Sequence, residues 1–244
     1  MRILILGGIA ESKQLAQQLI DHNHFVIYSI AGLLRKPQLA CDIHIGGFST
    51  YDKNGSQGLA DYCRVHDIEL LIDATHPYAV EISSNAVSAA RLNGITCWRY
   101  CRPGWNASKH AHWRRYHEWT DLAPQLVNYK RPFFTVGASI LKHVKHRPKQ
   151  QQWVIRCARK LAEVEGVIQI NAIGPFYYND ELALMRQYKV DALISKDSGC
   201  SRVADKLDAA HTLNIPVYVQ HRPPLANADL SFDRTEDLVA RLDS

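Results

Sequence analysis

Short apolar, β-branched runs recur along this chain, and each leads through a turn into residues at helical spacing. The first run covers residues 3–6. Residues 11–22 follow it, with Leu15, Ala16, Leu19 and Ile20 on one helical stripe. The same reading predicts strands over 25–30, 42–45, 68–72 and 95–100. Helices are predicted over 57–67 and 80–93, the second stopped by Gly94. Beyond residue 130 the pattern returns, with strands over 133–137, 153–157, 169–173, 191–195 and 215–220 and helices over 180–188 and 203–213. Strands that alternate with helices in this way must run parallel and be joined by crossovers, so the expected class is α/β and doubly wound.

The chain also echoes itself. Residues 67–103 read strand, Asp73-Ala74-Thr75-His76-Pro77, helix, strand, Arg102-Pro103. Residues 189–223 read strand, Lys196-Asp197-Ser198-Gly199, helix, strand, Arg222-Pro223. Equivalent units in two similar domains explain the echo, as does chance likeness between generic βαβ units. We therefore expect an N-terminal cofactor-binding domain over 1–125 and a C-terminal substrate-binding domain over 126–244. The boundary should fall in the charged stretch 105–131, with an active-site cleft between the domains.

Composition removes several alternatives. At 46% hydrophobic and 22% charged residues the chain can bury a core, and wholesale disorder is not expected. No apolar run approaches the ~18 residues of a membrane span, and the start at Met1 is too briefly apolar for a secretion signal. A cytoplasmic protein away from membranes is expected. The six cysteines form no C-x-x-C pair, so free thiols and no metal site are expected. The net charge of +5 suits an anionic ligand. Basic runs at 109–117 and 142–149 read either as solvated loops or as nucleic-acid contacts. No recognised nucleic-acid motif accompanies them, so nucleic acid is not expected as a partner.

Four turns carry candidate chemistry. Gly7-Gly8-Ile9-Ala10-Glu11-Ser12 follows a strand and opens a helix, where backbone N–H groups and the helix dipole favour a phosphate. It lacks the full G-x-G-x-x-G pattern, so a tight turn without ligand also fits. The second strand ends Tyr28-Ser29-Ile30-Ala31-Gly32 with no acid to hold ribose hydroxyls. Arg35 and Lys36 come soon after, suiting the 2′-phosphate of NADPH or serving only as solvated charges. Gly46-Gly47-Phe48 and Thr75-His76-Pro77-Tyr78 should lie at the carboxyl edge of the first sheet, where open α/β sheets bind ligands. His76 is placed to meet a carboxylate or move a proton, or simply to form part of a helix cap. Lys196-Asp197-Ser198-Gly199 occupies the matching edge of the second sheet, as a carboxylate site, a proton donor or an ordinary cap.

Taken in order, these motifs resemble the precorrin-6A reductase family, including its cobalt-precorrin-6A branch. The resemblance runs nearly end to end. It takes in Leu4-Ile5-Leu6-Gly7-Gly8, Ser29 with Ala31-Gly32, Gly46-Gly47-Phe48 and Asp73 through Ala79, then Ile82-Ser83, Asn85-Ala86 and Arg102-Pro103-Gly104-Trp105. In the second half it includes Thr135-Val136-Gly137, Gly174-Pro175-Phe176, Lys196-Asp197-Ser198-Gly199, Lys206-Leu207 and Arg222-Pro223. It implies two Rossmann-like domains and NADPH-dependent reduction of a carbon–carbon double bond in a many-carboxylate corrin precursor of vitamin B12 synthesis. The cofactor residues it implies are Gly7, Gly8, Ile9, Ala10, Glu11, Ser12, Ser29, Arg35, Gly46, Gly47, Phe48 and Thr75. For substrate it implies His76, Tyr78, Arg102, Lys196, Ser198, Gly199 and Arg222, with Lys196 and His76 as candidate proton donors. One departure stands out: the family's G-G-T-x-E-G loop has Ile9 for the threonine and Ser12 for the last glycine, so a hydroxyl contact to phosphate is expected to be lost. A monomer is expected. A reductase of another anionic substrate and a non-catalytic nucleotide-binding protein are the alternative readings.

Overall fold

The computed structural model describes residues 1–32, 37–50, 54–105, 113–160, 162–201 and 204–244. Two six-stranded sheets account for the strands, and every strand pairing is parallel. In the first sheet β1 (Arg2–Leu6) lies between β2 (Phe25–Ile30) and β4 (Leu70–Asp73). Outside these come β3 (Asp42–Ile45) on one side, then β5 (Thr96–Tyr100) and β12 (Leu230–Phe232) on the other. In the second, β7 (Pro132–Phe134) lies between β8 (Trp153–Cys157) and β10 (Ala192–Lys196). β9 (Val167–Asn171) flanks β8, and β11 (Val217–Gln220) and β6 (Trp113–Tyr116) complete the other side. Both orders are the doubly wound arrangement in which strand order reverses at a central strand. β4–β5 and β10–β11 hold equivalent places in the two sheets, which accounts for the echo between residues 67–103 and 189–223.

Alternation along β1 shows how the layers form. Ile3 and Ile5 face one side and pack with Leu15 and Leu19 of α1 (Ala10–Asp21) and Leu238 of α7 (Thr235–Leu242). Leu4 and Leu6 face the other side. They pack with Leu59 of α2 (Gly55–Val65) and with Ala86 and Ala90 of α3 (Val80–Asn93). Each buried leucine or isoleucine contributes ~1.5–3 kcal/mol of transfer free energy. The second sheet repeats this: Phe134, Trp153 and Ile194 pack on Leu122 and Leu126 of α4 (Trp119–Leu126). On its other face Phe133, Val154 and Leu193 meet Met185 of α5 (Tyr178–Gln187) and Leu207 of α6 (Asp205–Thr212).

The expected division at residue 125/126 gives way to another. One compact unit is Met1–Pro103 with Pro223–Ser244, and the other is Gly104–Arg222. After β5 the chain crosses to the second sheet, where β6 pairs with β11. After β11 it returns, and β12 pairs with β5. The first sheet thus fills its sixth position with a strand from beyond its own contiguous run, whereas the six strands of the second all come from Gly104–Arg222. The return is fastened by the Asp229 carboxylate, which accepts the Cys97 N–H at 2.7 Å. It is fastened again by the Ala226 carbonyl, which accepts from Arg99 Nη1 at 2.6 Å.

Candidate functional site

In the first unit the carboxyl ends of β1, β2, β3 and β4 open onto a cavity of about 590 Å³, within the usual size of small-molecule sites. Gly7, Gly8, Ser29, Gly46, Gly47, Phe48, Thr75, His76 and Tyr78 line it, and Ile9, Ala10, Glu11 and Ser12 do not. Also lining it are Ala31, Ser49, Gly55 and the first turns of α3 from Val80 to Asn85, which were not singled out as site residues. Asn85 belonged to the recognised motifs, so a signal for it existed; Gly55 lies against its amide, where a Cβ would crowd it.

The glycine turn is shaped from beneath. Gly8 has φ +128° and Gly46 φ +132°, conformations that side-chain-bearing residues rarely adopt, and space beside both is open. Gly7 is different: a Cβ there would overlap the phenol of Tyr28, which is completely buried. The Gly8 N–H donates to the Tyr28 hydroxyl at 3.1 Å, the Tyr28 hydroxyl meets Ser12 Oγ at 2.7 Å, and Ser12 Oγ donates to the Ile9 carbonyl at 2.7 Å. Because the Ser12 proton goes to that carbonyl, Tyr28 is the donor to Ser12. Burial pushes the Tyr28 phenol above its usual range, keeping that proton in place. We expect Tyr28→Phe to lower stability by ~1 kcal/mol, because the buried hydrogen bonds of the Tyr28 hydroxyl to Ser12 and Gly8 are lost while Ser12 Oγ still accepts the Gly8 and Ile9 N–H groups at 3.3 Å; chemical denaturation measures it.

This network relocates part of the expected cofactor set. Ile9 and Ser12 are buried in the turn and absent from the cavity lining. The Ser12 hydroxyl that replaces the family's glycine faces inward, bonding the turn itself rather than a phosphate. No side chain caps α1 at Ile9, so the N–H groups opening at Ala10 keep the character of an anion site. Arg35 lies outside the described residues, as do residues 109–112 of the first basic run.

Glu11 and Arg102 form an ion pair with Nη1–Oε2 at 2.5 Å, with only 8% of the arginine side chain exposed. The arginine expected at a substrate carboxylate is therefore buried and committed to the residue that opens α1. Nearby, Asp73 is 2% exposed. Its Oδ1 accepts from Thr75 N at 3.2 Å and Thr75 Oγ1 at 2.7 Å, and its Oδ2 accepts from Arg99 Nε at 3.0 Å. This carboxylate builds the turn that presents His76. His76 Nδ1 accepts the Tyr78 N–H at 3.3 Å, which leaves Nε2 to carry the neutral ring's proton. Phe48 lines the cavity, with its ring stacked on His44 at 4.7 Å and edge-on to Tyr62 at 5.2 Å.

In the second unit the loop after β10 is organised by Asp197, which is 5% exposed. Its Oδ1 accepts the Trp105 N–H at 2.8 Å, its Oδ2 meets Arg115 at 3.0 Å, and its carbonyl accepts from Arg222 Nε at 2.9 Å. Sequence reasoning assigned Asp197 no part; its partners lie 82 and 92 residues away. Ser198 is buried, its N–H donating to the Lys196 carbonyl at 2.8 Å, and Gly199 turns the chain at φ +69°. Lys196 is half-buried, and desolvation holds its ammonium below the usual lysine range. Among the described residues no group of histidine, cysteine or acidic side chains could hold a metal ion, and no helix is long and apolar enough to cross a membrane.

Comparison with known proteins follows the same lines. The family described as Precorrin-6x reductase CbiJ/CobK matches residues 2–243. A precorrin-6A reductase of Rhodococcus erythropolis is 36% identical over 245 residues, covering 98% of this chain and 96% of that protein. One from Sinorhizobium sp is 34% identical over 254 residues, covering 98% and 94%. A solved structure described as CobK precorrin-6A reductase superposes with a TM-score of 0.87 at 28% identity, covering 100% of this chain and 96% of that one.

Proposed function

The chain belongs to the precorrin-6x reductase family, oxidoreductases of a CH–CH group in cobalamin biosynthesis, and on that premise we propose that NADPH, held at the first unit's cavity, is its reductant. The observation that carries this reading is the cavity itself: two open positive-φ glycines, of which Gly8 leads into α1, and a second strand that ends without an acid face one space. These features fit a dinucleotide phosphate whose 2′-phosphate falls to Arg35. NADPH supplies hydride, and the polypeptide supplies position and exclusion of water. His76 and Tyr78 border the cavity and would orient the reacting edge of the macrocycle. Lys196, Ser198, Gly199 and Arg222 would meet its carboxylates. Lys196, with its lowered affinity for protons, is the proposed donor at the carbon next to the one that takes hydride, with His76 Nε2 as the second candidate. We place the enzyme in the cytoplasm and expect it to act as a monomer.

The test is oxidation of NADPH, followed by nicotinamide absorbance, with precorrin-6A as oxidant and its cobalt form in parallel. Lys196→Ala should cut kcat by ~10²-fold or more, the usual share of a general acid, with NADPH affinity unchanged. Full turnover by both Lys196→Ala and His76→Ala would remove both from that role. NADPH binding without hydride transfer to either ring would favour another anionic substrate or a non-catalytic nucleotide-binding protein.

A further inference from the structure

Three strands of the second sheet end in register. Lys196 pairs with Gln220, and Gln220 with Tyr116. The ladder runs one residue further: Asp197 N–H donates to the Gln220 carbonyl at 3.4 Å and His221 N–H to the Tyr116 carbonyl at 2.8 Å. Asp197, His221 and His117 therefore form the last row at the carboxyl edge, on the face opposite Lys196, because successive strand residues alternate sides. Arg115, two residues before His117, shares that face and pairs with Asp197 at 3.0 Å.

Within this row the imidazoles of His117 and His221 stack face to face, with centroids 4.2 Å apart and planes 13° apart. Among the described residues neither ring has a hydrogen-bond partner. The groups that face His221 are His117 and Arg115 from the β6 side and Asp197 from the β10 side. Burial, His117 and Arg115 lower its affinity for a proton, and Asp197 raises it. The α4 start adds Asp121, whose carboxylate is turned to the His117 and Glu118 backbone N–H groups at 3.2 Å. Asp197 is already committed to Arg115 and the Trp105 N–H. A second positive charge in this row thus lacks a counter-ion, and an oxyanion placed against the rings would provide one.

We propose that the stacked His117–His221 pair is a carboxylate subsite that takes a proton from solvent as it binds an anionic side chain of the substrate. This rests on the reading of the second unit as the substrate-binding one. No electrons move: one imidazole becomes imidazolium, and the carboxylate that arrives neutralises it. Binding strengthens as pH falls, because the free pair resists protonation and the occupied pair favours it.

Benzenehexacarboxylate serves as a probe that needs no turnover. Calorimetric titration of the full chain in two buffers of different ionisation enthalpy counts the protons taken up. The wild type should take up a proton fraction on binding, and its affinity should fall about tenfold between mildly acidic and mildly basic pH, the equivalent of one pKa unit. His221→Gln should bind more weakly with that uptake and pH dependence lost, and His117→Gln should reduce both. In turnover, His221→Gln should raise KM for the macrocycle at acidic pH and leave kcat and NADPH affinity in place. Absence of probe binding, binding without proton uptake, or uptake unchanged in both variants overturns the proposal. A wild type that binds the probe as described yet reduces no tetrapyrrole would count against the reductase reading alone.

Discussion

Gly7→Ala is expected to destabilise the first unit by ~2–5 kcal/mol, combining overpacking with a broken buried hydrogen bond, and to abolish measurable NADPH binding. The added Cβ would lie within the Tyr28 phenol. Tyr28 has no exposed surface and is anchored in β2, and its hydroxyl holds both the Gly8 N–H and Ser12. The ring cannot withdraw without releasing the turn that faces the cavity. Against a total stability of ~5–15 kcal/mol this is a large loss. Thermal or urea unfolding, with a titration of NADPH by fluorescence, measures both parts. Gly47→Ala is the control for stability, since its Cβ would meet only Ser49 Oγ at 3.8 Å. A Gly7→Ala protein that melts and binds like the wild type would show that Tyr28 does not set the turn.

Asp73→Ala should cost a further ~3–5 kcal/mol in its own right, the penalty of breaking a buried ion pair by removing one partner. The Asp73 side chain is 2% exposed and the Arg99 side chain 8%. Without the carboxylate, Arg99 keeps the Ala226 carbonyl but loses its counter-charge, and Thr75 loses the acceptor of its N–H and hydroxyl. Two consequences separate this from generic damage. The C-terminal return through Ala226 should loosen and become accessible to protease. The double variant Asp73→Ala/Arg99→Met should recover part of the loss, because it no longer buries an uncompensated charge. Equal destabilisation of the single and double variants would contradict the assignment of the penalty to Arg99.

Much of the first sheet and its site was legible because the signals were local. β2, β3 and α3 occupy the residues that periodicity gave them, since each is a run whose neighbours in sequence share its environment. The cavity lining at Gly7, Gly8, Gly46, Gly47, Thr75 and His76 follows the same logic: a parallel strand must end in a turn at the carboxyl edge, and backbone conformation there selects glycine. β6, α4, β12 and α7 were not legible. β6 reads Trp113-Arg114-Arg115-Tyr116 within a basic run, β12 is only three residues long, and α4 carries Pro124 inside it.

Sequence alone determined that the chain would form parallel α/β sheets, with glycine turns where a phosphate can approach, because hydrophobic period and backbone freedom are properties of adjacent residues. Tertiary structure alone decided which sheet each short strand would join. It also decided that Arg102 would pair with Glu11, that Asp197 would gather Trp105, Arg115 and Arg222, and that two histidines 104 residues apart would stack. Those outcomes depend on pairing between distant segments, and hydrogen-bond ladders and buried charges accept whichever partner the packed chain brings within reach.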